Sequence, residues 1–484
     1  MVFSSPVFLF LFLPILLGLY FFFPRAWRNS LLLFASLLFY AWGESKFVVV
    51  LLFSVLLNHF CGRLIQISGK SPRGKQVLVL AVTVNVMVLI IFKYSAFLIN
   101  DVIAPILQAT GRQSITVQPL SLPIGISFFT FQAISYLVDI YRGTAQAQQY
   151  FGTSALYITF FPQLIAGPIV RYKDVATQFV KRTVCLDDFA VGVKRFIIGL
   201  GKKMLIANTV AITVDQIFAL PANQLTMPVA WLGITCYTLQ IYFDFSGYSD
   251  MAIGLAQMFG FRFLENFNYP YISQSVQEFW RRWHISLSSW FRDYLYIPLG
   301  GNQVSTGRTY GNLLVIFFLC GLWHGASWTF IVWGLFHGAF LALERAGLGA
   351  KLAGWSRFFR HTYTLLIVMM GWVLFRAETL SSAGAYIAAM FGFSRIDDLQ
   401  ISANSYLSPG LVLVMIVGFI GSTPILPYLL SSYRPQWIER RRIESNLVSS
   451  ASVAMEVISI FLILVLSLIQ AAADTYNPFI YFRF

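Results

Sequence analysis

Charge is scarce in this chain. Asp, Glu, Lys and Arg make up 11% of its 484 residues, where a soluble domain carries about 25%. Hydrophobic residues reach 57% and aromatic residues 17%. So little charge cannot cover the water-facing surface of a chain this long, which excludes an ordinary soluble enzyme. Acids are the scarcer sign: 20 Asp and Glu stand against 34 Lys and Arg, a formal net charge of +14. That excess does not imply a nucleic-acid partner, which would need the basic residues gathered on one face. Here they collect in short loops between apolar runs, as the positive-inside rule expects.

Cysteine is nearly absent too. Cys61, Cys185, Cys236 and Cys320 form no C-x-x-C pair, so neither a zinc site nor a disulfide framework is expected. Five histidines without a thiol cluster imply no metal site. The chain has no G-x-S-x-G elbow, no P-loop and no H-E-x-x-H. No basic n-region or small-residue cleavage site flanks residues 2–23, so this segment is expected to be a retained span and not a cleaved signal peptide.

What is present is the pattern of an all-α polytopic membrane protein. Apolar runs at 2–23, 31–42, 47–60, 77–99 and 122–141 alternate with loops whose charges set an orientation. The loops at Arg25 and from Arg63 to Lys75 are placed in the cytoplasm, and the loop 100–119 outside. Residues 151–170, with Pro162 and Gly167-Pro168, are expected to form a broken or re-entrant element buried in protein. The stretch 171–203 is the most basic and is placed in the cytoplasm. Later spans are expected at 189–220, 231–259, 362–375, 409–430 and 451–472, with an interfacial helix at 380–390. Asp397-Asp398 should lie outside and Arg440-Arg441-Arg442 inside. The expected total is about eleven transmembrane helices plus re-entrant and interfacial pieces.

The run 313–343 is the informative one. Arg281, Arg282, Arg292 and Arg308 precede it; Arg345, Lys351, Arg357 and Arg360 follow. Both clusters should be cytoplasmic. One unbroken helix over the run would be about 46 Å long and end on the wrong side. Two full spans would need about 40 residues. The spacing therefore predicts a broken pair or re-entrant hairpin hinged near Gly321–Gly325. The alternative is an extra crossing within 260–310, which would leave 313–343 as one tilted span.

His324 falls at that hinge, in Cys320-Gly-Leu-Trp-His-Gly-Ala-Ser-Trp328. An ionisable residue inside a membrane span marks a functional site by default. A neutral imidazole there suits a general base; the competing reading is a satisfied structural histidine. Trp323 and Trp328 are placed to wall a pocket. Cys320, one turn before His324, reads as a small buried apolar residue more readily than as a nucleophile. If the segment 280–288 is helical, Trp280, His284 and Ser288 share a face; the alternative is an interfacial helix anchored by aromatics and arginines. On an unbroken helix His337 would point about 220° away from His324. His59 is expected at an interface, His361 in solvent and Asp139 at the end of its span. Asp244 and Asp250 are candidates to orient a histidine or to pair with a nearby arginine.

Taken together, these segments resemble the membrane-bound O-acyltransferase family. The residues that carry the resemblance are Tyr242-Phe-Asp-Phe-Ser-Gly-Tyr-Ser-Asp250, Asn266-Phe-Asn-Tyr-Pro270, Glu278-Phe-Trp-Arg-Arg-Trp-His284, Arg292-Asp-Tyr-Leu-Tyr-Ile-Pro-Leu-Gly-Gly301 and Gly321-Leu-Trp-His-Gly-Ala326. Within the family they are most similar to the membrane subunits that O-acetylate bacterial alginate and other exopolysaccharides. The resemblance implies one membrane domain over 1–484: N-terminal spans in 1–120, a catalytic core in 121–393 around a central tunnel, and C-terminal spans in 394–484. It implies that His324 is the active-site histidine and that His284 occupies a second signature position, His or Asn across the family. Trp280, Arg281, Arg282, Trp323 and Asp250 become candidate substrate or donor contacts, although positive-inside anchoring accounts for the two arginines equally well. No cofactor is expected to be bound. The donor would be acetyl-CoA or another acyl thioester from the cytoplasm. The acetyl group would pass to a periplasmic esterase-like acetyltransferase that modifies a secreted polymer such as alginate or cellulose. The setting would be the lipid of a bacterial inner membrane. A different class of reading is a transporter of acyl groups or polysaccharide precursors without chemistry; the lack of an internal repeat counts against it.

Overall fold

The computed structural model describes residues 1–394, 402–425, 444–473 and 479; Asp397-Asp398 and Arg440 to Arg442 lie outside them. Among the described residues helix is the only regular structure, and there is no strand. Lipid offers no hydrogen bonds, so each segment must satisfy its own backbone. Among the described residues six helical stretches are long and apolar enough to cross a membrane: Arg25–Ser68, Pro72–Ala109, Leu186–Phe218, Trp328–Ala353, Arg357–Arg376 and Val453–Ala473. Phe8–Phe22, Leu380–Met390 and Pro409–Gly421 are shorter apolar helices.

The centre of the fold is the helix Met227–Met258, buried along nearly its whole length. Glycine lets a second helix reach it. Gly192 and Gly199 of Leu186–Gly201 face Gly254 and Gly247, and a Cβ on Gly247 would lie 2.8 Å from the Gly199 carbonyl oxygen. This close approach carries the cations of the second helix onto the aspartates of the first. Lys203 pairs with Asp244 at 2.7 Å, and Asp250 takes both Lys202 at 2.7 Å and Arg195 at 2.9 Å. Lys202 and Lys203 thus join the two helices through ion pairs.

The broken element at 151–170 is confirmed. Phe151–Thr159 ends at Phe160, a short turn Phe161–Leu164 follows, and residues 154–170 are buried in protein. Its exit is clamped by Asp293, which holds Arg171 at 2.6 Å and Lys173 at 3.1 Å. Burial alone would raise the Asp293 carboxyl, but Arg292 and Lys173 outweigh it and hold the group below the usual carboxylate range.

The predicted hinge is also present. Thr306–His324 stops at His324, Gly325 is extended, and Trp328–Leu343 runs back alongside. Arg345 Nη1 donates to Asn302 Oδ1 at 2.7 Å, so the hairpin returns to the end where it began. The single tilted span is overturned. Small residues hold the two legs together: a Cβ on Gly334 would strike the Phe317 carbonyl oxygen and lie 3.1 Å from Gly321 Cα. Gly334→Ala should therefore push the legs apart and cost about 1–3 kcal/mol. Thermal unfolding of the purified protein in detergent checks this, with a lower midpoint expected.

The helix expected across 280–288 does not form. Val276–Arg282 ends at Trp283, His284 turns left-handed at φ 44° and ψ 54°, and Ile285–Phe291 starts anew. The segment 266–268 imposes the break. Asn268 N donates to Arg282 O at 3.0 Å, and Ile285 N donates to Asn266 O at 2.9 Å. Trp280, His284 and Ser288 consequently do not share a helical face.

Candidate active site

His324 is the last residue of its helix and is buried, at 4% exposure. A helix end leaves four carbonyls without helical partners, and here all four are satisfied. Gly325 N donates to Gly321 O at 3.2 Å. Tyr94 OH donates to Leu322 O at 2.6 Å. Lys93 Nζ donates to Trp323 O at 2.6 Å and to His324 O at 3.1 Å. Both capping side chains come from Pro72–Phe97, a helix far away in sequence.

His284 is fully buried, and its ring centroid lies 6.5 Å from that of His324. The indole of Trp323 flanks both, at 6.0 Å from His284 and 5.0 Å from His324. Phe245 closes on His284 at 4.6 Å, while Trp333 and Phe375 close on His324 at 4.9 and 5.3 Å. A histidine with positive φ inside a protein core is strained, and such residues gather at functional sites.

Asn266 fixes the protonation pattern of His284. Its Oδ1 accepts from Ser286 N at 3.2 Å and from Ser286 Oγ at 2.9 Å, while its Nδ2 donates to Ser249 Oγ at 3.0 Å. The backbone donor identifies Oδ1 as the acceptor, so His284 Nδ1, 3.1 Å away, must carry the proton. The ring's lone pair then sits on Nε2. Asn266, like Lys93 and Tyr94, was not among the expected site residues. Lys93 carried a signal in the sequence, as the only charged residue between Lys75 and Asp101.

The other expected site residues divide. Trp323 walls the histidine pair. Trp328 does not: it is 47% exposed and packs on Phe97. Trp280 sits further along the hairpin, against Phe317, Trp333 and His337. The hinge folds His337 back toward the site, so the 220° separation of an unbroken helix does not apply. Trp333 contacts both His337, at 5.3 Å, and His324. Arg281 is exposed, and Arg282 is held by Glu278 at 2.9 Å and the Asn268 carbonyl at 3.1 Å. Asp244 and Asp250 have lysine and arginine partners, as above. Cys320 is a buried free thiol.

One further expectation is corrected: His361, expected in solvent, is half-buried, with Nδ1 3.2 Å from Ser273 O. His59 is buried in the long helix Val48–Ser68, where its Nδ1 is 2.8 Å from Ser154 Oγ. Asp139 lies in the last turn of Ile126–Arg142, as expected, and there it is buried and accepts from Tyr294 OH at 2.8 Å and Lys173 N at 3.0 Å. Among the described residues no three His, Cys, Asp or Glu side chains gather into a set that could hold a metal ion.

Such an arrangement, two imidazoles buried side by side at the turn of an apolar helical hairpin, is that of a multi-pass membrane protein. The chain belongs to the membrane-bound O-acyltransferase family, whose model matches residues 34–382. It is 43% identical over 503 residues to the probable alginate O-acetylase AlgI of Azotobacter vinelandii, covering 100% of both chains. It is 48% identical over 429 residues to the protein of that name in Pseudomonas aeruginosa, covering 87% of this chain and 81% of the relative. A peptidoglycan O-acetyltransferase of Helicobacter pylori is 35% identical over 450 residues, covering 84% of this chain and 82% of the relative. The protein is thus an O-acyltransferase that uses an acyl donor as substrate.

Proposed function

We propose that this enzyme takes an acetyl group from acetyl-CoA, or another acetyl thioester, at the cytoplasmic face of a bacterial inner membrane. It passes the group across for O-acetylation of a secreted polysaccharide, alginate or another exopolysaccharide such as cellulose. A periplasmic esterase-like acetyltransferase receives it. About eleven crossings surround the tunnel in which donor and acceptor meet. The paired buried histidines, His324 and His284, carry this reading, and the names of the full-length relatives support the polymer class.

His324 acts as the base. It takes the proton of the acceptor hydroxyl as the oxygen attacks the thioester carbonyl. The new C–O bond forms, the C–S bond breaks, and the imidazolium returns the proton to the departing thiolate. His284 presents the Nε2 lone pair to the same centre, as a second proton acceptor. The donor's charged head docks at the end of the hairpin where Arg345 lies. A cavity of about 680 Å³ opens there, lined by Gln274, Gln277, Glu278, Arg345 and Arg360 among others. Arg281, exposed on the adjacent helix, is a phosphate contact. Asp250 shapes the site through its ion pairs.

Purified protein given labelled acetyl thioester tests the reading. Release of free thiol with transfer of the label to an acceptor hydroxyl is expected. Binding without turnover would favour the carrier and overturn the enzyme.

A further inference from the structure

We propose that Lys93 is the residue that positions His324 for catalysis. This rests on the reading of His324 as the base. Three observations lead to it. First, an ammonium has three N–H donors, and the structure offers Lys93 three acceptors: Trp323 O at 2.6 Å, His324 O at 3.1 Å and Ser127 Oγ at 3.3 Å. All three protons are spent on the protein. Lys93 is therefore not a substrate-binding group but a fixed node. Second, two of those acceptors are backbone carbonyls at the negative end of the helix that carries His324. A cation complements that end, and it pins the peptide on both sides of the imidazole's own Cα. Third, Ser127 opens the helix Ile126–Arg142, which also supplies Phe128 and Phe131, 5.2 and 5.5 Å from the Trp323 ring. One ammonium thus joins the base to the wall it works against.

A cation is costly in an apolar span and is retained there for specific contacts. If Lys93 were only helix-to-helix glue, its loss would lower stability and leave the rate per folded molecule unchanged. If it positions His324, its loss lowers kcat and spares KM. A misplacement of the order of 1 Å costs up to about a hundredfold.

The test uses the full chain in detergent or nanodiscs, with turnover of labelled acetyl-CoA measured per folded molecule. Lys93→Met keeps the stem and removes the donors. It should lower kcat roughly ten- to a hundredfold with KM within about twofold. Lys93→Arg keeps donors and charge and should recover most of the rate. A folded Lys93→Met protein with kcat within about twofold of wild type overturns the proposal. So does a loss explained wholly by lost folded protein, or one that appears in KM alone. His324→Ala, measured alongside, separates the two ideas. Full activity in that variant would sink the catalytic reading itself, whereas an inactive His324→Ala beside an unimpaired Lys93→Met sinks only the role of Lys93.

Discussion

His324→Ala should abolish acetyl transfer while leaving the amount of membrane-inserted protein unchanged. Alanine is the best helix former, and the carbonyls of residues 322 to 324 keep their caps, because Tyr94 and Lys93 bind backbone and not the imidazole. The hairpin should therefore survive. What disappears is the group that takes the proton. General-base catalysis contributes about 10²–10⁴-fold, and removing the base inside a water-excluded site should cost at least about 10³-fold. The measurement is the acetate content of the secreted polymer, beside the protein level in the same cells. A polymer with normal acetate content would refute the assignment.

His284 should give the second-largest effect, and the choice of replacement is informative. His284→Ala removes a buried ring that touches Phe245 and Trp323, and it leaves Asn266 Oδ1 with one donor fewer. A loss of about 10²-fold in turnover is expected. His284→Asn should retain more. The backbone there is left-handed, at φ 44°, and asparagine enters that region far more readily than most residues. Its side-chain amide can also still donate toward Asn266. An Asn enzyme well above the Ala enzyme would mean that His284 works as a polar, correctly shaped partner. Equal loss in both would mean that the ring carries a proton. Turnover of both variants at saturating donor decides between these roles.

The hinge and the burial of His324 at it were legible because they depend on quantities that sequence carries directly. Basic residues on both sides of 313–343 demand that the chain turn back, and an imidazole in an apolar run is visible by its cost. Lys93 had the same signal. One cation among some twenty apolar neighbours vanishes when the span is read as an average, and nothing local says that its partners are carbonyls more than two hundred residues away. The helix expected through His284 failed for a different reason. Spacing of three and four residues does suggest a face, but the backbone bonds of Asn266 and Asn268 outbid the helix at Trp283. That competition is between segments brought together only by the fold. The end of the helix that holds His59 was not legible for a related reason: it runs on to Ser68, eight residues past the apolar run, through Cys61, Gly62 and Arg63.

The rings around His324 also bear on the membrane as an electrical barrier. Two imidazoles buried between two aqueous compartments are half of a proton leak; a file of water on either side would complete it. Trp323, Trp333 and Phe375 close on His324 from different directions and leave that file little room. An acetyl group carries no charge and travels bonded to its carrier, so it needs no such file. The aromatic lining therefore does for the cell what an insulator does in a cable. In the proposed reaction a chemical group would be handed from one side to the other while the ion gradient across the same few ångströms is kept.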